Sequence, residues 1–348
     1  MGASRVSISA EVVADSIHDG SRLTTFEVTF PRFILAEVNT HRAESRSSAS
    51  SRAIPTWKRL TDIILHPFVP LEFGKNRAGM QSAEMVSDED TEASRIDWLV
   101  GRDVAVIQAF MLAGGEAQIL KDAKGDLRAE EVCRQVKLLM TIYPDVTAKL
   151  VSLSVGVHKQ HANRVLEPYA WHTAIITGTH WRNLYGLRAS KMAQPEFQEA
   201  VIAMIQAHMA STPKVLEKGE WHLPYVFEED KQELKSDFVL LPRVSSARCA
   251  RVSYLTHDGK RNITADLKMV DGLQSHGHMS PFEHTAKAVG SVDGDAGKFN
   301  GNFSRQWAQY RKVLENEHDF TKLIPQEELL LGMKGDQAMV DFVLGLAA

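Results

Sequence analysis

An apolar run from Phe26 to Val38, interrupted only by Pro31, leads with no glycine spacer into Thr40-His41-Arg42-Ala43-Glu44-Ser45-Arg46-Ser47-Ser48-Ala49-Ser50-Ser51-Arg52. Phe26, Val28 and Phe30 alternate with period two, which predicts a strand with one face in the core. A strand ending in cations and hydroxyls is built to hold something anionic. Arginine offers a planar fork of donors, serine a short hydroxyl, and histidine donates or accepts near neutral pH. A solvated basic loop has the same composition, so the stretch alone does not decide between the two readings.

Three further segments decide. They are Ala250-Arg251-Val252-Ser253-Tyr254, then His276-Gly277-His278-Met279-Ser280-Pro281-Phe282-Glu283-His284, and Asn183-Leu184-Tyr185-Gly186-Leu187-Arg188-Ala189-Ser190-Lys191-Met192-Ala193-Gln194. With His41-Arg42-x-x-Ser45-(x4)-Ser50-x-Arg52, they resemble the four signatures of the flavin-dependent thymidylate synthases. That family methylates dUMP using FAD, NADPH and 5,10-methylenetetrahydrofolate, and its central motif reads Arg-His-Arg-x-x-Ser-x-Asn-Glu-x-Ser-x-Arg.

The resemblance has departures. In the family the Ala-Arg-Val-Ser and His-x-Ser-Pro-Phe-Glu-His segments precede the His-Arg strand; here they follow it, as a circular permutation or a partial duplication would place them. Arg305-Gln306-Trp307-Ala308-Gln309-Tyr310-Arg311, followed by Asn316-Glu317, echoes the family's Arg-Gln-Trp-x-Arg-His-Arg-(x4)-Asn-Glu. Tyr310 stands there where the family has histidine. An amphipathic helix with Trp307 and Tyr310 turned inward is the plainer reading of that echo. The N-terminal copy has Thr40 for the first arginine, Ser47 and Ser48 for Asn-Glu, and Glu37 for glutamine.

Residue by residue, the resemblance implies a flavin site on His41, Arg42, Asn183, Ser253, His278, Ser280 and Glu283. It implies a nucleotide on Ser48, Ser50, Ser51 and Arg52, with the phosphate on Ser50 and Arg52 as counter-ion. Arg164 resembles a phosphate-contacting arginine, displaced by one position. Arg188 matches the arginine beside the pyrimidine, where a fixed positive charge stabilises negative charge developing on the base. Gln306 is expected to take over from Glu37, which keeps dUMP as substrate. If Glu37 itself reaches the base, an acceptor-only carboxylate favours a donor such as the amino group of cytosine. The alternatives are therefore C5 methylation or hydroxymethylation of dCMP or UMP, or an inactive assembly homologue. Family members are tetramers, which implies a homo-oligomer, dimer or tetramer.

Composition bounds the other classes. A net charge of −4 argues against bulk binding to a nucleic acid polymer. No apolar run reaches the roughly 20 residues of a membrane span, and the N-terminus has no basic-then-apolar leader. Cys133 and Cys249 cannot form a disulfide framework and fit a reducing cytoplasm. Both read as packing residues rather than the nucleophile of the other thymidylate synthase family. His276, His278 and His284 do not have zinc-site spacing, so no metal is expected.

The fold class expected is α+β, with long helices on a small mixed or antiparallel sheet. Two strands are predicted over 5–38. Helices are predicted over 54–65, from Ser87 to Gly114 with Ile96, Val100, Val104, Ile107 and Met111 buried, over 129–143, and from there to about 166. Further helices are predicted over 180–190, 195–212 and 264–275, with two more after 303. A strand is predicted near 246–254, a loop over 218–225, and an acidic linker to Asp237. Two parts are expected: 1–225, carrying the His-Arg-x-x-Ser and Leu-Arg-x4-Ala-Gln motifs, and 226–348, carrying the other two.

Overall fold

The computed structural model describes residues 6–48, 50–79, 82, 84–151, 156–253, 262–290, 298–315, 317 and 325–345. The side chain of Ser253 lies outside the described set.

The two N-terminal strands, β1 (Ser9–His18) and β2 (Ser21–Pro31), form a hairpin. Asp19 and Gly20 connect them, both at positive φ (45° and 73°). This is the two-residue turn whose twist matches that of the strands. β2 also pairs with β4 (Trp171–Gly178), which in turn pairs with β3 (Ser45–Ser48). The order β3-β4-β2-β1-β5 makes a five-stranded mixed sheet, because β5 (Lys214–Val215) runs parallel to β1.

Both faces of that sheet are covered. Phe26, Val28 and Phe30 pack with Phe197, Val201 and Met204 of the helix Pro195–Ala210. On the opposite face Ile175 packs with Tyr225, Cys249 and Val252. A central strand buried on both faces need not alternate. That is why the sequence did not announce β4: Ala174-Ile175-Ile176 is its one apolar run, while His172, Thr173 and Thr177 are polar.

A helical layer flanks the sheet. α1 (Thr56–Leu65), α2 (Asp88–Leu112) and α3 (Leu127–Ile142) share a core of Leu60, Ile63, Ile107, Phe110, Val132 and Val136. Ser87 caps α2 by accepting from Asp90 N, as the acidic start of that helix predicts. Cys133 lies in this core, on α3 as expected, and burial pushes its thiol up to about 11.

Several sequence-based boundaries are corrected. Residues 246–253 do not form the expected strand, and Tyr254 lies outside the described residues: Leu240–Ser253 is a helix, α4, with Leu241, Val244, Ala247 and Ala250 buried at three-residue spacing. Cys249 is therefore buried on a helix, and burial raises its thiol. The acidic linker contains a helix, Glu228–Glu233, whose Asp230 is fully buried against Arg248 of α4. The 218–225 loop contains a short strand, β6 (Trp221–His222). The echo around Trp307 forms β8 (Trp307–Gln309) rather than a helix, and Trp307 is fully buried. With β7 (Ala286–Ala288), β6 and β8 form a second sheet in the order β6-β7-β8. Hence a strand before residue 225, β6, pairs with one after it, β7.

The stretch approaching Leu166 breaks into Lys159–Ala162 and a 3-10 helix over Asn163–Tyr169 that contains Pro168. On α2, Ile96 and Val100 are exposed, and the buried face is formed by the C-terminal half around Val106, Ile107 and Phe110. The helix Ile263–Ser275 is present as expected, as are two C-terminal helices, Gln326–Gly332 and Gln337–Gly345.

Candidate functional site

β3 is short because it is an edge strand, paired only with β4, and it begins one residue after the buried Glu44. Beside it runs a cleft of about 580 Å³ whose lining includes Arg42, Ser45, Ser48, Glu283, Gln309 and Arg311. The 3-10 turn Ser280–Glu283 delivers Glu283 from the C-terminal half, and the 3-10 turn Tyr310–Val313 delivers Arg311. Arg311 forms an ion pair with Glu283 and donates through Nε to Glu317 Oε1 at 2.9 Å. Arg42 is exposed at the cleft.

Gln309 ties the two ends of the chain together. Its Nε2 lies 3.0 Å from Ser45 Oγ, 3.0 Å from Asn302 Oδ1 and 3.2 Å from Glu283 O. Ser45 Oγ also donates to Asn302 Oδ1 at 2.9 Å. Gly301 stands at φ +59°, and a Cβ there would lie 2.3 Å from Gln309 Oε1. Only glycine fits that approach without strain.

Behind this wall lies a second polar contact. Arg188, at the end of the helix Arg182–Arg188, donates from Nε to His41 Nε2 at 2.8 Å and from Nη2 to Thr40 Oγ1 at 3.3 Å. Its guanidinium rests 5.1 Å from the centroid of Phe197, which His41 meets edge-on at 5.8 Å. His41 is 9% exposed, and burial, aided by the Arg188 and Arg46 charges, holds its pKa below the ordinary value. Glu44 is 4% exposed, with Oε2 unpartnered, and burial raises its carboxyl despite Arg46 nearby.

The residues singled out in the sequence fall into three groups. His41 and Arg188 meet directly, and Arg42, Ser48 and Glu283 share the cleft. Ser50, Ser51 and Arg52 follow β3: Ser50 and Arg52 are exposed, and Ser51 is buried with its carbonyl accepting from Asn163 Nδ2 at 2.9 Å. That bond sets Arg164, the residue after Asn163, near the same segment, although Arg164 is paired with Glu167 at 2.9 Å.

The third group lies elsewhere. Asn183, His278 and Ser280 are exposed and do not line the cleft. His278 stacks on His276, whereas His284 is fully buried with Nδ1 2.8 Å from Thr177 Oγ1. Gln306 lines a different cleft, with Arg22, Trp181 and Tyr185. Glu44, Arg46, Asn302, Gln309, Arg311 and Lys312 complete the Arg42 cleft without having been singled out as site residues. The signals for them were the charged stretch after β2, which contains Glu44 and Arg46, and the C-terminal echo, which contains Gln309 and Arg311.

Among the described residues no group of three His, Cys, Asp or Glu side chains gathers as a metal would require, and no helix is long and apolar enough to cross a membrane. No known family model matches the chain, and no curated protein matches it.

Proposed function

We propose that this chain is an FAD-dependent C5-methyltransferase acting on dUMP, with 5,10-methylenetetrahydrofolate as one-carbon donor and NADPH as reductant. The observation that supports it most is the convergence of Arg42 and Ser48 with Glu283 in one cleft. These residues come from opposite ends of the chain and belong to different motifs. The donor set fits the group proposed: arginines and serine hydroxyls suit a diphosphate or a nucleotide phosphate. FAD, when bound, supplies the hydride that completes the methyl group.

The chain's own groups have separable roles in this reading. Arg188 holds a permanent charge where negative charge develops on the pyrimidine, which makes C5 nucleophilic without a covalent enzyme adduct. His41 is kept neutral and positions the Arg188 side chain through the 2.8 Å bond. Arg42 and the β3 serines hold anionic oxygens. Neither buried cysteine takes part.

A second reading, methylation or hydroxymethylation of dCMP, draws on Glu37. Its Oε2 is buried without a hydrogen-bond partner, and Gln306, expected to replace it, lines another cleft. An unsatisfied carboxylate acceptor favours an amino group.

The test is absorbance and FAD titration of the purified chain, followed by product analysis with dUMP, dCMP and UMP. Protein that remains colourless and gives no fluorescence change with FAD at high concentration refutes the proposal. Turnover of dCMP comparable to dUMP selects the second reading.

A further inference from the structure

A second cleft, of about 550 Å³, opens where the β1–β2 turn meets the helices Arg182–Arg188 and Pro195–Ala210. Ser21 and Arg22 line it from β2, Arg182 and Tyr185 from the first helix, His208 from the second, and Gln306 from the segment before β8. Its volume is that of a small-molecule site. It shares no lining residue with the Arg42 cleft, yet the segment 301–306 borders both. Gly301 and Asn302 line one, Ser304 and Gln306 the other.

Hydrogen-bond directions in the cleft wall are fixed by Asp15. Its carboxylate accepts from Arg22 Nε and Nη2 at 2.9 and 2.6 Å, and from Thr24 Oγ1 at 3.1 Å. Thr24 has thus spent its hydrogen, and it accepts from His208 Nε2, 3.1 Å away. Burial and the Arg22 charge hold the His208 pKa below its ordinary value, so the ring is neutral. Its Nδ1 therefore accepts the Tyr185 hydroxyl at 2.9 Å. The phenol oxygen is left with lone pairs alone. It turns an anion away and suits a base edge that carries an amino group. Trp181 lies nearly parallel to Tyr185 with ring centroids 5.8 Å apart, which gives the cleft an aromatic wall.

The lining also holds an unspent cation. Arg22 is neutralised by Asp15, but Arg182 is exposed and makes no ion pair or hydrogen bond among the described residues. Among the described residues no carboxylate lines the cleft. Ser21 Oγ accepts from Trp307 Nε1 at 3.1 Å, which leaves its own hydrogen to donate. The Gln306 side-chain amide makes no hydrogen bond among the described residues. A guanidinium, a hydroxyl and an amide beside an acceptor-only phenol describe a ligand that joins a phosphomonoester to an amino-bearing base. Of the ligands in the proposed reaction, NADPH alone brings that pair, in its 2′-phosphoadenosine half. A nearby arginine is the general means of accommodating such a 2′-phosphate.

We infer that this cleft anchors the adenosine 2′-phosphate of the reductant, with Arg182 on the phosphate and the Tyr185 oxygen on the adenine amino group. The inference rests on the reading of the chain as an NADPH-consuming enzyme. The non-reacting half of the dinucleotide then sits beside the Arg42 cleft, and its nicotinamide passes the 301–306 segment to reach it.

The test titrates adenosine 2′,5′-bisphosphate into the full chain by calorimetry at constant ionic strength, without and with saturating FAD and dUMP. We expect saturable binding that Arg182→Ala weakens roughly tenfold or more, as loss of a charge-assisted contact does, with FAD affinity unchanged. Arg182 is exposed, so the variant is expected to fold. 5′-AMP, which lacks the 2′-phosphate, is expected to bind weaker by a similar factor. Absence of saturable binding, equal binding of 5′-AMP, or equal affinity in Arg182→Ala overturns the inference. Displacement of the bisphosphate by FAD or dUMP also overturns it, because the ligand then occupies the Arg42 cleft. A chain that binds FAD but not the bisphosphate keeps the methyltransferase reading and loses this site. A chain that binds the bisphosphate through Arg182 but not FAD keeps the site and loses that reading.

Discussion

Arg188 Nε donates to His41 Nε2 across 147 residues of sequence, and the donor can only be the arginine. The neutral imidazole therefore carries its proton on Nδ1. The same guanidinium is one of the charges that depresses the pKa of His41. Two motif residues are thus one electrostatic unit, in which the base-like partner is silenced and the cation is aimed.

Replacing Arg188 by methionine is expected to move the His41 pKa back toward its ordinary value near ~6.5. The ring signals of His41, followed by NMR against pH, check this. The same variant is expected to lose methyl transfer while flavin reduction by NADPH continues. A variant with unaltered turnover and an unshifted His41 titration makes Arg188 an ordinary surface cation.

Arg42→Ala and Arg311→Ala are each expected to weaken FAD binding roughly tenfold or more, as loss of a charge-assisted contact does. Both residues line the cleft, although one lies in the first fifty residues and the other in the last fifty. Gln306→Ala is expected to leave FAD affinity unchanged, because Gln306 faces the Trp181–Tyr185 cleft. Flavin fluorescence titration separates the three. If Gln306→Ala alone weakens binding, the cleft has been misassigned.

Gly301→Ala is expected to destabilise the protein by about 1–3 kcal/mol, from positive φ and a displaced neighbour. The neighbour is Gln309, only 2% exposed, whose Nε2 reaches Ser45, Asn302 and the Glu283 carbonyl. Denaturant unfolding measures the loss, and FAD affinity is expected to fall with it. Wild-type stability in Gly301→Ala excludes Gln309 as the link between the two ends of the chain.

What the sequence disclosed depended on how local the signal was. The two N-terminal strands were legible, because the alternation of Phe26, Val28 and Phe30 is local. The Ser87 cap and the helix behind it were legible for the same reason. β4 was not, since a strand buried on both faces shows no alternation. The Ala-Arg-Val-Ser segment was expected in a strand near 246–254. Its register is helical: Arg248 and Arg251 both reach Asp266, at 3.0 and 2.8 Å. Within the site, His41, Arg42, Ser48, Arg188 and Glu283 were named from motifs. Gln309 was not, because its role is fixed by Gly301 and Asn302, which carry no motif. Gln306 was assigned from its spacing in the echo. The strand β8 turns Gln309, not Gln306, toward Ser45.

A chain of buried polar contacts crosses the main sheet and sets the acid limit of the fold. Ser16 Oγ lies 2.9 Å from His222 Nδ1, and His222 Nε2 lies 2.8 Å from Thr25 Oγ1. Thr25 Oγ1 is 2.9 Å from Thr177 Oγ1, which is 2.8 Å from His284 Nδ1. Both histidines are fully buried, and burial lowers each pKa to about 3; repulsion from a proton on His222 adds to the effect on His284. In the unfolded chain each takes up a proton near pH ~6.5. The folded pKa values are depressed, so their contribution is fully present above about pH 6.5. It is lost progressively as pH falls toward 3. The two together give a slope of up to about 2.7 kcal/mol per pH unit. Stability from urea unfolding at several pH values between 7 and 4 measures that slope, and His222→Gln is expected to reduce it by about 1.4 kcal/mol per pH unit. Parallel pH profiles for wild type and His222→Gln require His222 to be protonated in the folded protein, contrary to its buried position between two hydroxyls.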